Sequence, residues 1–114
     1  MLLTPIDKEE NTITINEMVM ESKSQDFTTT IAAGKNQNFD IDATRAGWTP
    51  VGIVGISLGS AFSVNSIAIR NFYTTGNTAR IVLRNTGTGT LTFTDATVTL
   101  RVLYVKSTNV YGPS

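Results

Sequence analysis

Residues 47–59, GWTPVGIVGISLG, contain no charged side chain. A period of two places Trp48, Val54 and Ile56 on one face of a strand and Val51 and Ile53 on the other. Apolar groups on both faces mark a strand covered on both sides. Gly52 and Gly55 argue against a helix. Inside a strand they signal a bulge, a bend or a second backbone passing close by. Pro50 lacks a ladder donor, which suits the start of the strand or an edge-facing position. Residues 51–56 are therefore expected to form a central strand with the rest of the chain layered around it.

Residues 1–11 lack a sustained period; Thr4-Pro5-x-Asp7 has the pattern that caps one helical turn, and the segment reads as an arm. Residues 12–16 alternate, with Ile13 and Ile15 on one face. Residues 17–24 have no convincing helical stripe and read as an extended continuation or a short linker. The run DFTTTIA at 26–32 suits a strand, and Ala33-Gly34-Lys35-Asn36 a turn. In residues 37–42, Phe39 and Ile41 are expected inside, with Asn38, Asp40 and Asp42 outside. Residues 57–61 read as a loop and 62–72 as a strand, with Gly76-Asn77 marking a hairpin. In residues 78–84, Ala79, Ile81 and Leu83 point inward. NTGTG at 85–89 reads as a mobile turn, and 90–94 as a short strand. Residues 96–106 are the clearest strand, with Val98, Leu100, Val102 and Tyr104 on one face. Its other face is expected to become buried toward the C-terminal end.

About eight short strands with frequent turn signals and no helix predict an all-β fold. The expected architecture is a single antiparallel β-sandwich or jelly roll with an extended N-terminal arm. The arm and first strand occupy residues 1–24, the sandwich 25–106 and a polar tail 107–114.

The chain has 114 residues, 40% hydrophobic and 16% charged, which suits one domain with one core. It contains no Cys and no His. Disulfides, thiolate chemistry, the usual general base and the commonest metal ligand are thereby excluded. Uncharged runs are broken by Gly, Ser, Thr and Pro, so no membrane insertion is expected. Residues 1–3 are too short for the apolar part of a signal peptide, so export by that route is not expected.

Nine basic residues balance nine acidic ones, but unevenly along the chain. Residues 1–26 hold six acidic and two basic side chains; residues 43–114 hold six basic and one acidic. An acidic leading segment that docks on a basic body, its own or a neighbour's, is the expectation from this asymmetry. The candidate contacts are Asp7, Glu9 and Glu10 on the arm with Arg80, Arg84 and Arg101 on the body.

Motifs that would carry chemistry fail on context. Gly52, Gly55 and Gly59 have the wrong spacing for a dinucleotide loop, and no helix follows. Asp40-x-Asp42-x-Thr44 opens like a calcium loop, but Arg45 stands where Gly is needed and Val51 where Glu is needed. No catalytic residue, metal site or cofactor is assigned. The arginines form no basic cluster in sequence, so no nucleic-acid partner is expected. Trp48 and Tyr73 are candidate glycan-stacking aromatics, set against a core role that suits Trp48 in its apolar block.

The blocks GWTPVGIVGI, IAIRNFYTTGNTARIVLRNTG and TVTLRVLYVK resemble a group of small β-rich domains in phage and prophage structural proteins. The matching residues are Gly47, Trp48, Pro50, Gly52, Ile53, Phe72, Tyr73, Val102, Leu103, Tyr104, Val105 and Lys106. The resemblance covers about residues 37–106 and not the arm. It implies a non-enzymatic virion structural protein, assembled in the host cytoplasm, on a tail, fibre, baseplate or capsid. A capsid decoration or head-fibre protein, and a carbohydrate-binding receptor adhesin for host attachment, are the alternatives. The expected partners are further copies of the chain, with a homotrimer as the first choice, other virion proteins, and a host surface glycan.

Overall fold

The structure, a computed structural model, describes residues 17–106. The strand expected at 12–16, Asp7, Glu9, Glu10 and the tail at 107–114 lie outside the described residues. Six strands form: β1 (Met18–Ile31), β2 (Asn36–Asp42), β3 (Trp48–Leu58), β4 (Ile67–Thr75), β5 (Thr78–Asn85) and β6 (Leu91–Lys106). A single 3-10 turn, Ser60–Phe62, joins β3 to β4. Two three-stranded antiparallel sheets result, ordered β1-β6-β3 and β2-β5-β4. The first strand pairs with the last and the second with the fifth, while β3 joins β6 and β4 joins β5, giving a two-sheet sandwich. β1 lies over β2 and β3 over β4.

Period-two alternation specifies the core. Val98, Leu100, Val102 and Tyr104 on β6 face Ala79, Ile81 and Leu83 on β5, and all seven are fully buried. Phe39 and Ile41 of β2 join them, while Asp40 and Asp42 stay outside. A chain of rings ties the layers together. Phe27 meets Phe39 edge-on at 5.0 Å, Phe39 meets Phe62 at 5.7 Å, and Phe62 stacks on Phe93 at 4.8 Å. Edge-on and stacked pairs at such separations add to the area they bury.

The expected central strand is an edge strand. β6 takes the middle of the first sheet, and β3 pairs with it on one side only. Two bulges in β3 explain why its apolar residues read as covered on both faces. Val51 is inserted between Pro50 (opposite Tyr104) and Gly52 (opposite Leu103), and Val54 between Ile53 (opposite Val102) and Gly55 (opposite Arg101). Each extra residue resets the parity. The residues in register with the buried face of β6 are therefore Pro50, Ile53, Ile56 and Leu58. Val51 and Val54 are left 47% and 51% exposed, rather than covered on a second face. Bulges also blunt an open strand edge against further pairing. β4, the matching edge of the second sheet, carries the same device at Arg70.

Six strands are described against about eight expected, because the strand expected at 12–16 lies outside the described residues and the break expected near 95 is bridged. Asp95 adopts φ 49° as the extra residue opposite Thr28, so 91–94 and 96–106 form one strand of 16 residues. The Asp95 backbone N–H donates to Thr28 Oγ1 at 3.1 Å, which holds the bulge. β1 likewise runs unbroken from Met18 through Ile31, across the boundary expected at 24/25. Glu21 and Lys23 fall on its inner face at the end of the sandwich, where they pair with each other at 3.2 Å. The segment 85–89, expected to be a mobile turn, is pinned. Buried Asn85 donates through Nδ2 to Ile31 O and Gly89 O, and its Oδ1 accepts from the Gly87 N–H.

Candidate functional site

Three surfaces hold the functional candidates. The first is the outer face of the β1-β6-β3 sheet. Met18 and Met20 of β1 are 46% and 60% exposed, and the neighbouring Leu103 and Val105 of β6 are half-buried. Further along β6, Arg101 lies between Ser22 of β1 and Gly55 of β3. A Cβ on Gly55 would stand 3.2 Å from the Arg101 Cβ, so glycine leaves room for the arginine stem. Ser22, Gly55, Ile56, Ser57, Thr99 and Arg101 line a shallow depression of about 220 Å³. Thr99 Oγ1 and Ser24 Oγ are hydrogen-bonded at 2.6 Å beside it. Arg101 is exposed and makes no ion pair or hydrogen bond among the described residues.

The second surface is the outer face of β2-β5-β4, where cross-strand register builds a polar ladder. Arg80 grips Asp40 with two hydrogen bonds, Nε to Oδ1 at 2.7 Å and Nη2 to Oδ2 at 2.9 Å. Its Nη1 donates to the Tyr73 hydroxyl at 3.0 Å. Arg84 donates to Asn36 Oδ1 at 3.3 Å. The Arg80 hydrogen bonds, and then its charge, hold the Asp40 carboxyl below the usual aspartate range. Asp42 is lowered too, first by the hydrogen bond from the Thr44 hydroxyl at 2.6 Å and then by that from its backbone N–H at 2.9 Å. Asp40 and Asp42 are thus used within the fold, one in a ladder and one in an Asx turn. Among the described residues no three side chains of metal-ligating type converge.

These shifts fix the sense of an acid-stability test. A carboxyl with a depressed folded pKa stabilises the fold above its ordinary value of 3.8, and that contribution is lost as pH falls below it. The melting temperature is expected to fall as pH drops from about 5 toward 2. Asp40→Asn should lower the melting temperature slightly at neutral pH and flatten this acid limb. An unchanged limb in the variant would show that the Arg80 pair contributes nothing. The effect is small because the pair is open to solvent.

The third surface is the end of the sandwich where β1 begins and β6 ends. Trp48 is half-buried there, with the Arg45 guanidinium 4.6 Å and the Lys106 ammonium 5.3 Å from its ring centre. Arg45 also approaches Glu21 at 3.6 Å and the Tyr104 ring at 5.8 Å. Tyr104 is fully buried and donates its hydroxyl to Ala43 O at 2.8 Å; burial pushes its phenol pKa up.

The candidate residues are thus scattered. Trp48 and Tyr73 lie on different sheets. Trp48 is engaged by two cations, whereas Tyr73 is 37% exposed with Arg80 5.6 Å from its ring. Arg80 and Arg84 share the outer face of the second sheet, and Arg101 is on that of the first. Arg80 is committed to Asp40, which leaves Arg101 as the unpaired one of the three. Sequence reasoning missed the hydroxyls of Ser22, Ser57 and Thr99 around Arg101. Their signal was the glycine spacing in β3, which aligns Gly55 with Arg101 only once the bulges are counted. Arg45 gave no signal, because its contacts come from three separate segments.

No protein-family model, curated protein or solved structure matches this chain.

Proposed function

We propose that this chain is a non-enzymatic structural module of a bacteriophage virion, an oligomeric surface protein of a tail, fibre, baseplate or capsid. One observation carries the oligomeric part. Four apolar residues of one sheet, Met18, Met20, Val51 and Val54, are each about half exposed or more. A small sandwich buries a modest share of its surface, so covering this one with further copies would stabilise it. Ile69 and Phe72, 46% and 45% exposed on the edge strand β4, add to the area that association would cover. The virion setting rests on the sequence resemblance of residues 37–106. The chain offers no Cys or His for chemistry.

The test has two parts. The purified chain, run on size exclusion with light scattering at micromolar concentration, is expected as an oligomer, with a trimer as first choice. A monomer overturns the oligomeric reading. Particles purified from a producing host are expected to contain the chain in stoichiometric amount, and its absence from them overturns the virion reading. Labelling of intact particles then separates head from tail.

A carbohydrate-binding receptor module is the second reading, favoured by the exposed Tyr73 ring with its hydroxyl held by Arg80. Binding on a glycan array that is lost in Tyr73→Ala is the expected result, and a flat array dismisses it.

A further inference from the structure

We propose that the acidic arm of a second copy of this chain lies across the outer face of the first sheet, placing Glu9 on Arg101. The inference rests on the oligomeric reading above and specifies its contact.

The direction of the chain favours a neighbour over the arm's own subunit. The Lys106 N–H donates to Glu17 O at 3.1 Å, and Met18 pairs with Val105. The ladder therefore holds the chain from Glu17 onward, and Glu17 stands at that end of the sheet. Arg101 lies in the opposite direction, across from Ser22. Residues 6–17 contain no Gly or Pro, and 12–15 read Thr-Ile-Thr-Ile. The alternating stretch 12–16 is expected to be extended, and the run as a whole has no Gly or Pro to mark a tight turn. The eight residues from Glu17 back to Glu9 can reach at most about 26 Å, at ~3.3 Å per residue when extended.

Pattern and charge name the receiving face. In an extended arm, Asp7, Glu9, Ile13 and Ile15 share one side. The sheet offers two exposed methionines, Met18 and Met20, followed by Ser22 opposite Arg101. With Ile15 and Ile13 set over Met18 and Met20, position 11 falls at Ser22. Glu9 falls one repeat further, about 7 Å on, within reach of an arginine side chain. Arg80 cannot serve, since both its carboxylate-facing bonds go to Asp40. The shallow depression lined by Ser22, Gly55, Ser57, Thr99 and Arg101 leaves room for a carboxylate beside the Arg101 side chain. An interfacial pair of this kind sets register and partner choice more than raw affinity.

The absence of native cysteine makes the test direct. Glu9→Cys and Arg101→Cys chains are prepared separately, mixed, allowed to exchange subunits and oxidised. A disulfide-linked dimer of the two is expected, and none when Arg70→Cys replaces Arg101→Cys. In addition, Arg101→Glu is expected to weaken self-association about tenfold, with recovery in the Arg101→Glu, Glu9→Arg double variant. If the mixed chains do not cross-link, the proposal fails. If a chain carrying both cysteines closes on itself as a monomer, the arm serves its own subunit and the proposal also fails. Light scattering on the unsubstituted chain separates the two readings. An oligomer without the cross-link overturns this contact alone, whereas a monomer overturns the oligomeric reading beneath it.

Discussion

Replacing Asn85 by Asp, a change of one atom, is expected to destabilise the fold by ~3–5 kcal/mol at neutral pH. Asn85 is fully buried, and its amide Nδ2 donates to Ile31 O at 2.9 Å and Gly89 O at 2.7 Å. A carboxylate would set an oxygen against both carbonyls and lose both donors. Only the bond from Gly87 N–H to Oδ1, at 2.9 Å, would survive. Burial and the facing carbonyls disfavour the charged form, so the folded pKa of the introduced acid would be raised, and once protonated it regains one O–H donor for one of the two carbonyls. The contribution of this group is then greatest below the ordinary aspartate value and is lost as pH rises through the raised one. This is the reverse of the Asp40 behaviour, so the two carboxyls can be told apart in one titration. Asn85→Ala, which strands the same groups without adding charge, should cost about 2–4 kcal/mol. Urea unfolding of the three proteins between pH 4 and about 8 checks the order. A variant as stable as the parent at pH 7 would mean that the 85–89 turn is not tied through this side chain.

Phe39→Ala should be comparably severe, at about 3–5 kcal/mol. The ring is 1% exposed and stands between Phe27 and Phe62, so it links a strand of each sheet to the 3-10 turn. β2 is an edge strand that pairs with β5 alone, so little else holds it in place. Neighbouring rings cannot close the gap without breaking the contact between Phe62 and Phe93. Small domains have about 5–15 kcal/mol in total, so the variant would sit near the limit of folding. Phe39→Leu keeps most of the volume and should lose about half as much. Thermal melts of both give the comparison, and a drop of only a few degrees in the alanine variant would show that the ring chain is not the core of the sandwich.

Where alternation ran unbroken, the sequence was a sound guide. β2, β5 and the last eleven residues of β6 have the faces that period two assigns. Phe39, Ile41, Ala79, Ile81, Leu83, Val98, Leu100, Val102 and Tyr104 are all buried. Alternation failed where a bulge intervened. Val51, Val54, Arg70 and Asp95 each insert one residue, and each reassigns every side chain beyond it. The chargeless run 47–59 consequently looked buried on both faces, although β3 lies at the rim of its sheet. The candidate site was less legible still. Arg80, Arg84 and Arg101 were grouped by charge, but strand order puts Arg101 on the opposite side of the molecule from the other two. Nothing in the local sequence marks Arg80 as paired, because Asp40 lies 40 residues away and reaches it through β2–β5 register.

The sequence by itself determined the class of the fold, since β-branched alternation with turn residues can bury a core only by stacking extended strands. It also determined the absence of cysteine and histidine chemistry and the acidic character of the leading segment. Tertiary structure alone decided which strand is central, which arginine is left unpaired and which apolar residues stay exposed. Those outcomes depend on strand order and bulge position, which are set by the summed packing of two sheets and not by the preference of any one segment.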